Sequence, residues 1–109
     1  MTFGQYITEG RKKAIKSQKE FAASLTKDDG TPISAQYLND LEHDRRNPPG
    51  EYLLNQFASK LNLSLDYLRY LAGTLPKDIR RDNPKPDKVE EAFKAFRKVL
   101  EEKSEMDSR

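Results

Sequence analysis

The feature that most constrains the fold of this chain is a series of short segments with helical apolar spacing, each bounded by a capping residue. Ser17, Ser34 and Ser64 each stand directly before such a segment, where a serine hydroxyl accepts a hydrogen bond from the first helical turn. Asn62 and Gly73 follow two of the segments and suit the left-handed conformation that ends a helix. No stretch of useful length alternates polar and apolar residues with period two. We therefore expect an all-α fold.

Five helices are predicted before about residue 73, separated by turns. Residues 26–32 are dense in turn-forming residues, and residues 47–50 read NPPG, so both stretches are expected to be loops. The apolar positions of the five helices are, in order, Phe3, Tyr6, Ile7, Ala14 and Ile15; Phe21, Ala22 and Leu25; Tyr37, Leu38 and Leu41; Leu53, Leu54, Phe57, Ala58 and Leu61; and Leu65, Leu68, Leu71 and Ala72.

The remainder of the chain is predicted to form a linker and one more helix. Residues 74–86 hold three prolines among charged residues, which indicates a linker. A helix is expected from Asp87 to about Glu102, followed by a polar, frayed tail. The predicted organisation is a domain over residues 1–73, a linker over 74–86, and an amphipathic helix with its tail over 87–109.

Composition bounds the class of protein. The chain has 109 residues, of which 35% are charged, so one compact domain with an appended element is expected. No cysteine is present, which excludes a disulfide scaffold and thiolate metal sites. An apolar run of membrane-spanning length and a secretory signal pattern are both missing, so we expect a soluble cytoplasmic protein without a membrane partner. The net charge of +2 singles out no partner.

Catalysis is not expected. The sequence has one histidine, His43, no nucleophile–base arrangement and no glycine-rich loop that could bind phosphates. A lone histidine among charged residues is rarely a metal ligand or a catalytic base. We therefore predict a protein that is not an enzyme and needs neither a cofactor nor a metal.

Three segments occur in an order that resembles a known family. Residues 17–25 (SQKEFAASL) resemble the second helix of the lambda-repressor and Cro family, also called the XRE family. Residues 34–48 (SAQYLNDLEHDRRNP) resemble its recognition helix with the loop that follows, and residues 61–68 (LNLSLDYL) resemble its closing helix. The resemblance covers roughly residues 3–73 and implies a five-helix, lambda-repressor-like helix-turn-helix domain.

The resemblance implies that the third helix lies in the major groove of double-stranded DNA. It assigns base contacts to Ala35, Gln36, Asn39 and Asp40. Gln36 and Asn39 could each pair with adenine, Ala35 suits a thymine methyl group, and Asp40 could accept from cytosine. An alternative role for Asp40 is to orient a neighbouring arginine or to repel wrong sites. The alternative for the whole set is an ordinary solvated helix face.

Phosphate contacts are implied for residues on both sides of this helix. Gln18 lies at the start of the second helix, where its side chain and the helix N-terminus can face a phosphate. His43, Arg45 and Arg46 follow the third helix, and the two arginines are expected to supply most of the salt-dependent affinity. Tyr37 either adds a hydroxyl contact or simply packs.

Other positions are assigned to the scaffold or depart from the family pattern. The resemblance implies a semi-buried ion pair between Arg11 and Glu42 that ties the first helix to the third. Residues 27–32 form an insertion of about six residues between the second and third helices, with an acidic tip. Asp44 stands where the family favours glycine, and aspartate tolerates the left-handed conformation better than most residues.

The last helix carries an apolar stripe that needs a partner. Val89, Phe93, Phe96 and Leu100 recur at spacings of four and three residues, and two phenylalanines are unfavourable in water. The stripe can pair with a second copy of the chain or fold back on the five-helix domain, and we favour the homodimer.

Two functions are consistent with these features. The first is a sequence-specific transcriptional regulator, expected to be a repressor, that binds a near-palindromic operator as a homodimer. The second is an antitoxin or adaptor that uses the same fold to hold a protein partner.

Overall fold

The computed structural model describes residues 1–80 and 83–107, with the side chains of residue 77 and of residues 103–107 excepted. Over these ranges the chain is helical and contains no β-strand, only one isolated antiparallel bridge between Thr26 and Pro32. The prediction of an all-α fold is confirmed. The helices are α1 (Phe3–Lys13), α2 (Gln18–Ser24), α3 (Ala35–Glu42), α4 (Glu51–Leu61), α5 (Leu65–Ala72), α6 (Lys77–Arg80) and α7 (Pro86–Asp107).

The chain divides into two compact units, Met1–Pro76 and Lys77–Arg109. The first unit contains α1 to α5, and the second contains α6 and α7. None of the helices in the described ranges is long and apolar enough to cross a membrane.

Five helix ends of the first unit lie where caps were predicted. The hydroxyl groups of Ser17, Ser34 and Ser64 each accept a hydrogen bond from the backbone N–H three residues later. Asn62 and Gly73 end α4 and α5 with φ angles of 54° and 75°, which lie in the left-handed region. Each cap satisfies backbone groups that the adjacent helix leaves without an internal partner.

The prediction for the end of α1 is wrong at two positions. Ala14 and Ile15 were placed on the apolar stripe of the first helix, but α1 ends at Lys13 and both side chains are exposed. Ile15 is 91% exposed and has a φ of 56°. Its N–H donates to Lys12 O, and Lys16 N–H donates to Arg11 O, which together form a Schellman turn. The turn leads the chain into α2 and leaves the Ile15 side chain outside the core.

The core of the first unit is apolar and receives side chains from all five helices. Phe57 of α4 lies at its centre, with its ring 6.1 Å from that of Phe3 and 5.9 Å from that of Phe21. Gly4 brings α1 against the end of α3, since a Cβ atom there would overlap the carbonyl oxygen of Glu42. The buried apolar residues are Phe3, Ile7, Phe21, Ala22, Leu25, Ile33, Leu38, Leu41, Leu53, Leu54, Phe57, Leu61 and Leu68.

The second unit departs in length from the sequence-based expectation. The short helix α6 lies inside the stretch expected to be a linker. Helix α7 begins at Pro86, a residue that suits the first position of a helix because it has no N–H to satisfy. The backbone of α7 stays helical to Asp107, beyond the expected end near Glu102. The last part of the predicted tail, residues 108 and 109, lies outside the described residues.

Candidate nucleic-acid interface

Helices α2 and α3 are joined by an ordered insertion. Ile33 N–H donates to Leu25 O at 3.1 Å, and Lys27 N–H donates to Thr31 O at 2.8 Å, so the two ends of the insertion lie side by side. Gly30 closes the tip with a φ of 87°, where glycine costs little. The insertion of residues 27–32 is therefore a tight hydrogen-bonded turn.

The acidic tip of the insertion is held by its own side chains. The Asp29 carboxylate accepts hydrogen bonds from the Thr31 hydroxyl at 2.7 Å and from the Thr31 N–H at 3.0 Å. These bonds lower the pKa of Asp29 below its ordinary value of 3.8. Asp28 beside it is exposed. The tip therefore presents negative charge at neutral pH.

The insertion is also attached to α4, which sequence reasoning missed. The Gln56 side chain accepts from Thr26 N–H at 2.9 Å and donates to Thr26 O at 2.8 Å. A side-chain amide can satisfy both backbone groups of one residue because it carries a donor and an acceptor. The two residues are 30 positions apart, and no local sequence pattern links a glutamine on one helix to a distant loop.

Beneath α3, five polar residues form what we call the Glu42 network. Glu42 receives a bidentate pair of hydrogen bonds from Arg11, at 2.6 Å and 3.0 Å, and a third from Gln18 at 2.9 Å. Arg11 also donates to Lys16 O, and Gln18 donates to the Asn39 side chain at 3.0 Å. The network joins α1, α2 and α3 at one point.

Burial and hydrogen bonding have opposite effects on the pKa of Glu42. Its side chain is 2% exposed, and burial alone raises the pKa of a carboxyl group. The hydrogen bonds from Arg11 and Gln18, together with the charge of Arg11, outweigh burial and hold the pKa of Glu42 below its ordinary value of 4.5. Glu42 is therefore ionised in the folded protein at neutral pH.

The predicted base-reading residues lie on one side of α3, but they differ in exposure. Ala35 and Gln36 are exposed, whereas Asn39 and Asp40 are half-buried. Asn39 accepts the hydrogen bond from Gln18 through Oδ1. Its Nδ2 group has no partner among the described residues, so two N–H donors stay available.

Asp40 lies at the centre of a second polar cluster. Its carboxylate accepts from the Gln36 amide at 2.9 Å and from Arg45 Nε at 3.3 Å, and Arg46 Nε lies 3.9 Å away. Of the three roles considered for Asp40, contact with neighbouring arginines is the one present in the free protein. Arg45 and Arg46 keep side-chain exposures of 55% and 59%, so both guanidinium groups remain accessible.

Two more predicted phosphate-contact residues border this cluster. The guanidinium of Arg46 lies 5.2 Å from the ring centroid of Tyr37, within the range of a cation–π contact. Tyr37 is half-buried and packs against the core, so packing accounts for most of its side chain. His43 caps the end of α3, and its Nδ1 atom lies 2.9 Å from Asn39 O.

Asp44 has a structural role that the sequence did not reveal. It adopts the left-handed conformation, with a φ of 57°. Its carboxylate accepts from the Thr2 hydroxyl at 2.6 Å and from Gly4 N–H at 2.9 Å. A negative charge at the N-terminus of a helix is stabilising, so Asp44 ties the loop after α3 to the start of α1.

No metal site accompanies these polar clusters in the part of the chain that the structure describes, since it contains no group of three or more acidic or histidine ligands suited to an ion. Comparison with family models, with curated proteins and with solved structures found no match to this chain. Any functional assignment therefore depends on the geometry of the chain's own residues.

Proposed function

We propose that the chain is a sequence-specific double-stranded DNA-binding regulator of transcription, acting as a repressor. The observation that carries this proposal is the outer side of α3, where exposed Gln36 and half-buried Asn39 are followed by the exposed Arg45 and Arg46. Amides that can pair with base edges, next to guanidinium groups that can pair with phosphates, are what a major-groove helix requires.

In this proposal α2 and α3 form a helix-turn-helix of the lambda-repressor type within a five-helix domain. Helix α3 lies in the major groove, and Ala35, Gln36 and Asn39 contact base edges. Gln18 holds Asn39 Oδ1, so the Asn39 Nδ2 donors are oriented before DNA arrives. Preorganising a side chain lowers the entropy lost on binding.

The arginines and Asp40 have different electrostatic roles in this proposal. Arg45, Arg46 and His43 contact phosphates through their side chains, and neutralising phosphates supplies the salt-dependent part of the affinity. The amide group of Gln18 donates to Asn39 and Glu42, so Gln18 contacts a phosphate through its backbone N–H at the start of α2. Asp40 orients the two arginines through its carboxylate and does not read cytosine. This role avoids placing an unpaired carboxylate near phosphates, where repulsion would cost affinity.

The proposed assembly on DNA is a homodimer. Two copies would place their α3 helices about 34 Å apart, one helical turn of DNA, on a near-palindromic operator. No cofactor takes part, because base and phosphate contacts come from side chains of the protein itself.

The decisive experiment is selection of bound duplexes from a random pool, followed by affinity measurements at two salt concentrations. The expected result is one enriched, near-palindromic sequence whose affinity falls as salt rises. Weak binding with no enriched sequence would sink this function.

That second outcome would favour an antitoxin or adaptor. The observation that supports this alternative is the ordered acidic insertion, which is attached to α4 and presents Asp28 next to an open cleft lined by Tyr37 and Tyr52. Protein-binding surfaces are enriched in tyrosine at their centre and have a polar rim.

A further inference from the structure

Helix α7 presents an apolar stripe to solvent. The stripe consists of Val89, Phe93, Phe96 and Leu100, and the last three are exposed while Val89 is half-buried. Contiguous exposed apolar side chains on a helix mark an interaction surface. The stripe covers 12 residues, less than the three or more heptads of an independent coiled coil, so its partner must match it closely.

The two flanks of this stripe differ in chemistry. At 3.6 residues per turn, Glu90 and Arg97 lie along one flank, and Ala92 and Val99 lie along the other. Glu90 and Arg97 are exposed. The Arg97 guanidinium lies 6.0 Å from the Phe93 ring centroid, which places this positive charge at the edge of the stripe. One flank is therefore charged with opposite signs at its two ends, and the other is apolar.

We propose that α7 pairs with α7 of a second copy of the chain in the antiparallel orientation. When two identical helices pack antiparallel, the same flank of each copy meets across the seam. Glu90 then faces Arg97 of the second copy, and the reciprocal pair forms at the other end, while Ala92 faces Val99 of the second copy. Opposite charges at flanking positions of a helix pair set partner choice and orientation.

The parallel orientation lacks this complementarity. In a parallel pair the charged flank of one helix faces the apolar flank of the other, so Glu90 and Arg97 would lie against Ala92 and Val99. Charged groups next to apolar side chains lose hydration without gaining a partner. The antiparallel arrangement also pairs Phe93 with Phe96 of the second copy twice at the two-fold axis, with Val89 and Leu100 paired at the ends.

This inference rests on the homodimer of the proposed function and adds its orientation and its contacts. Charge reversal in the full-length chain tests it by sedimentation equilibrium without DNA. Glu90→Arg and Arg97→Glu each convert both cross-helix pairs into like-charge pairs, so each variant alone should self-associate about tenfold more weakly. An equimolar mixture of the two, and the double variant, should both regain the original dimer affinity, because opposite charges face each other again.

The controls change the same charges on the far side of the helix. Glu91→Arg and Lys98→Glu lie opposite the stripe and should leave the dimer affinity within about twofold. Circular dichroism checks that every variant keeps its helix content. Equal affinity for Glu90→Arg and Glu91→Arg, failure of the mixture to recover, or a full-length chain that stays monomeric at all concentrations would each overturn the antiparallel pair.

Orientation can be read directly because the chain has no cysteine. Mixing Val89→Cys with Leu100→Cys under oxidising conditions should give a mixed disulfide, since these positions face each other only in the antiparallel pair. Val89→Cys alone should not cross-link, and a disulfide from it alone would indicate a parallel pair. If dimerisation fails while the monomer still selects a half-site from the DNA pool, the antiparallel pair is wrong and DNA binding stands. If dimers form as described but no DNA sequence is enriched, only the DNA function is wrong.

Discussion

At the scale of single residues, the outer side of α3 carries two kinds of proposed DNA contact, which we expect to respond differently to substitution. Gln36 carries an amide that can read a base edge, and Arg46 carries a charge that can pair with any phosphate. Both side chains also contact Asp40 in the free protein, so both are held near the same point before binding.

We expect Gln36→Ala to relax the base preference at one operator position by about 1–3 kcal/mol. Arg46→Ala should weaken binding to all DNA sequences alike. It should also reduce the slope of log affinity against log salt concentration by about one. Lys60→Ala, an exposed charge on α4, serves as the control and should change neither. Binding titrations on a set of single-base operator variants at two salt concentrations measure both effects. If Gln36→Ala weakens binding to all operator variants equally, Gln36 does not read a base.

The Glu42 network makes a second residue-scale prediction, on stability. Glu42→Gln should lower the free energy of unfolding by about 3 kcal/mol at neutral pH, because Arg11 loses the carboxylate it faces in a semi-buried position. Since the pKa of Glu42 is lowered in the folded state, its contribution is complete above pH 4.5 and is lost as the pH falls through the folded-state value.

Urea unfolding of the original chain and of Glu42→Gln between pH 7 and pH 3 measures this dependence. The difference between the two should be constant above pH 4.5 and shrink below it. Glu9→Gln, an exposed position on α1, is the control for the loss of one carboxylate. A difference that grows as the pH falls would contradict the ionised state of Glu42.

Ile15 carries strain that a substitution can release. A β-branched residue at a φ of 56° is unfavourable by roughly 1–2 kcal/mol. The side chain of Ile15 is exposed, so burial of apolar surface does little to offset this cost. Ile15→Gly should therefore stabilise the first unit by about 1 kcal/mol, as measured by thermal unfolding. Ala14→Gly is the matched control, since Ala14 has right-handed helical geometry and the change there should destabilise.

At the scale of elements, the sequence predicted the helix starts better than the helix ends. A serine that caps a helix bonds to a residue three positions away, so the signal is local and Ser17, Ser34 and Ser64 were identified correctly. The apolar period of α1 runs on through Ile15, but the helix ends at Lys13 in a turn that backbone hydrogen bonds form. The period therefore could not locate the end of α1.

Contacts between distant elements were the least predictable part of the candidate site. The Arg11–Glu42 contact spans 31 positions and was expected only because of a resemblance. No sequence pattern indicated the bonds from Asp44 to α1 and from Gln56 to Thr26, which span 40 and 30 positions. At the sequence level, Asp44 was interpreted only as a residue that tolerates the left-handed backbone conformation. Its second role depends on how closely α1 approaches the loop, which no local pattern records.

The attachment of the insertion to α4 can be tested at this scale. Gln56→Ala removes two hydrogen bonds from the backbone of Thr26 and should cost about 1–3 kcal/mol of unfolding free energy. Amide hydrogen exchange of residues 27–31 should accelerate more than that of α3. Asn55→Ala, one position earlier on the exposed side of α4, should have little effect. An unchanged exchange rate in the insertion would show that Gln56 does not hold it.

At the scale of the whole molecule, the buried core residues that the described part of the chain contains all lie in the first unit. We therefore expect residues 1–76 alone to unfold cooperatively with nearly the free energy of the full chain. In the proposed homodimer, removing α7 leaves a monomer, so DNA affinity should fall. Chemical denaturation and operator titration measure the two properties. Loss of cooperative unfolding would mean that the first unit needs the rest of the chain.

The backbone hydrogen bond between Ile33 and Leu25 has a consequence for how this protein can vary. Because this bond joins the two ends of the insertion, the distance between them does not depend on how many residues lie in between. Peptides of other lengths could replace residues 27–31 without moving α3 relative to α2. The same point on the surface could accept a grafted epitope or a fluorescent label, close to the proposed DNA contact yet outside the buried core.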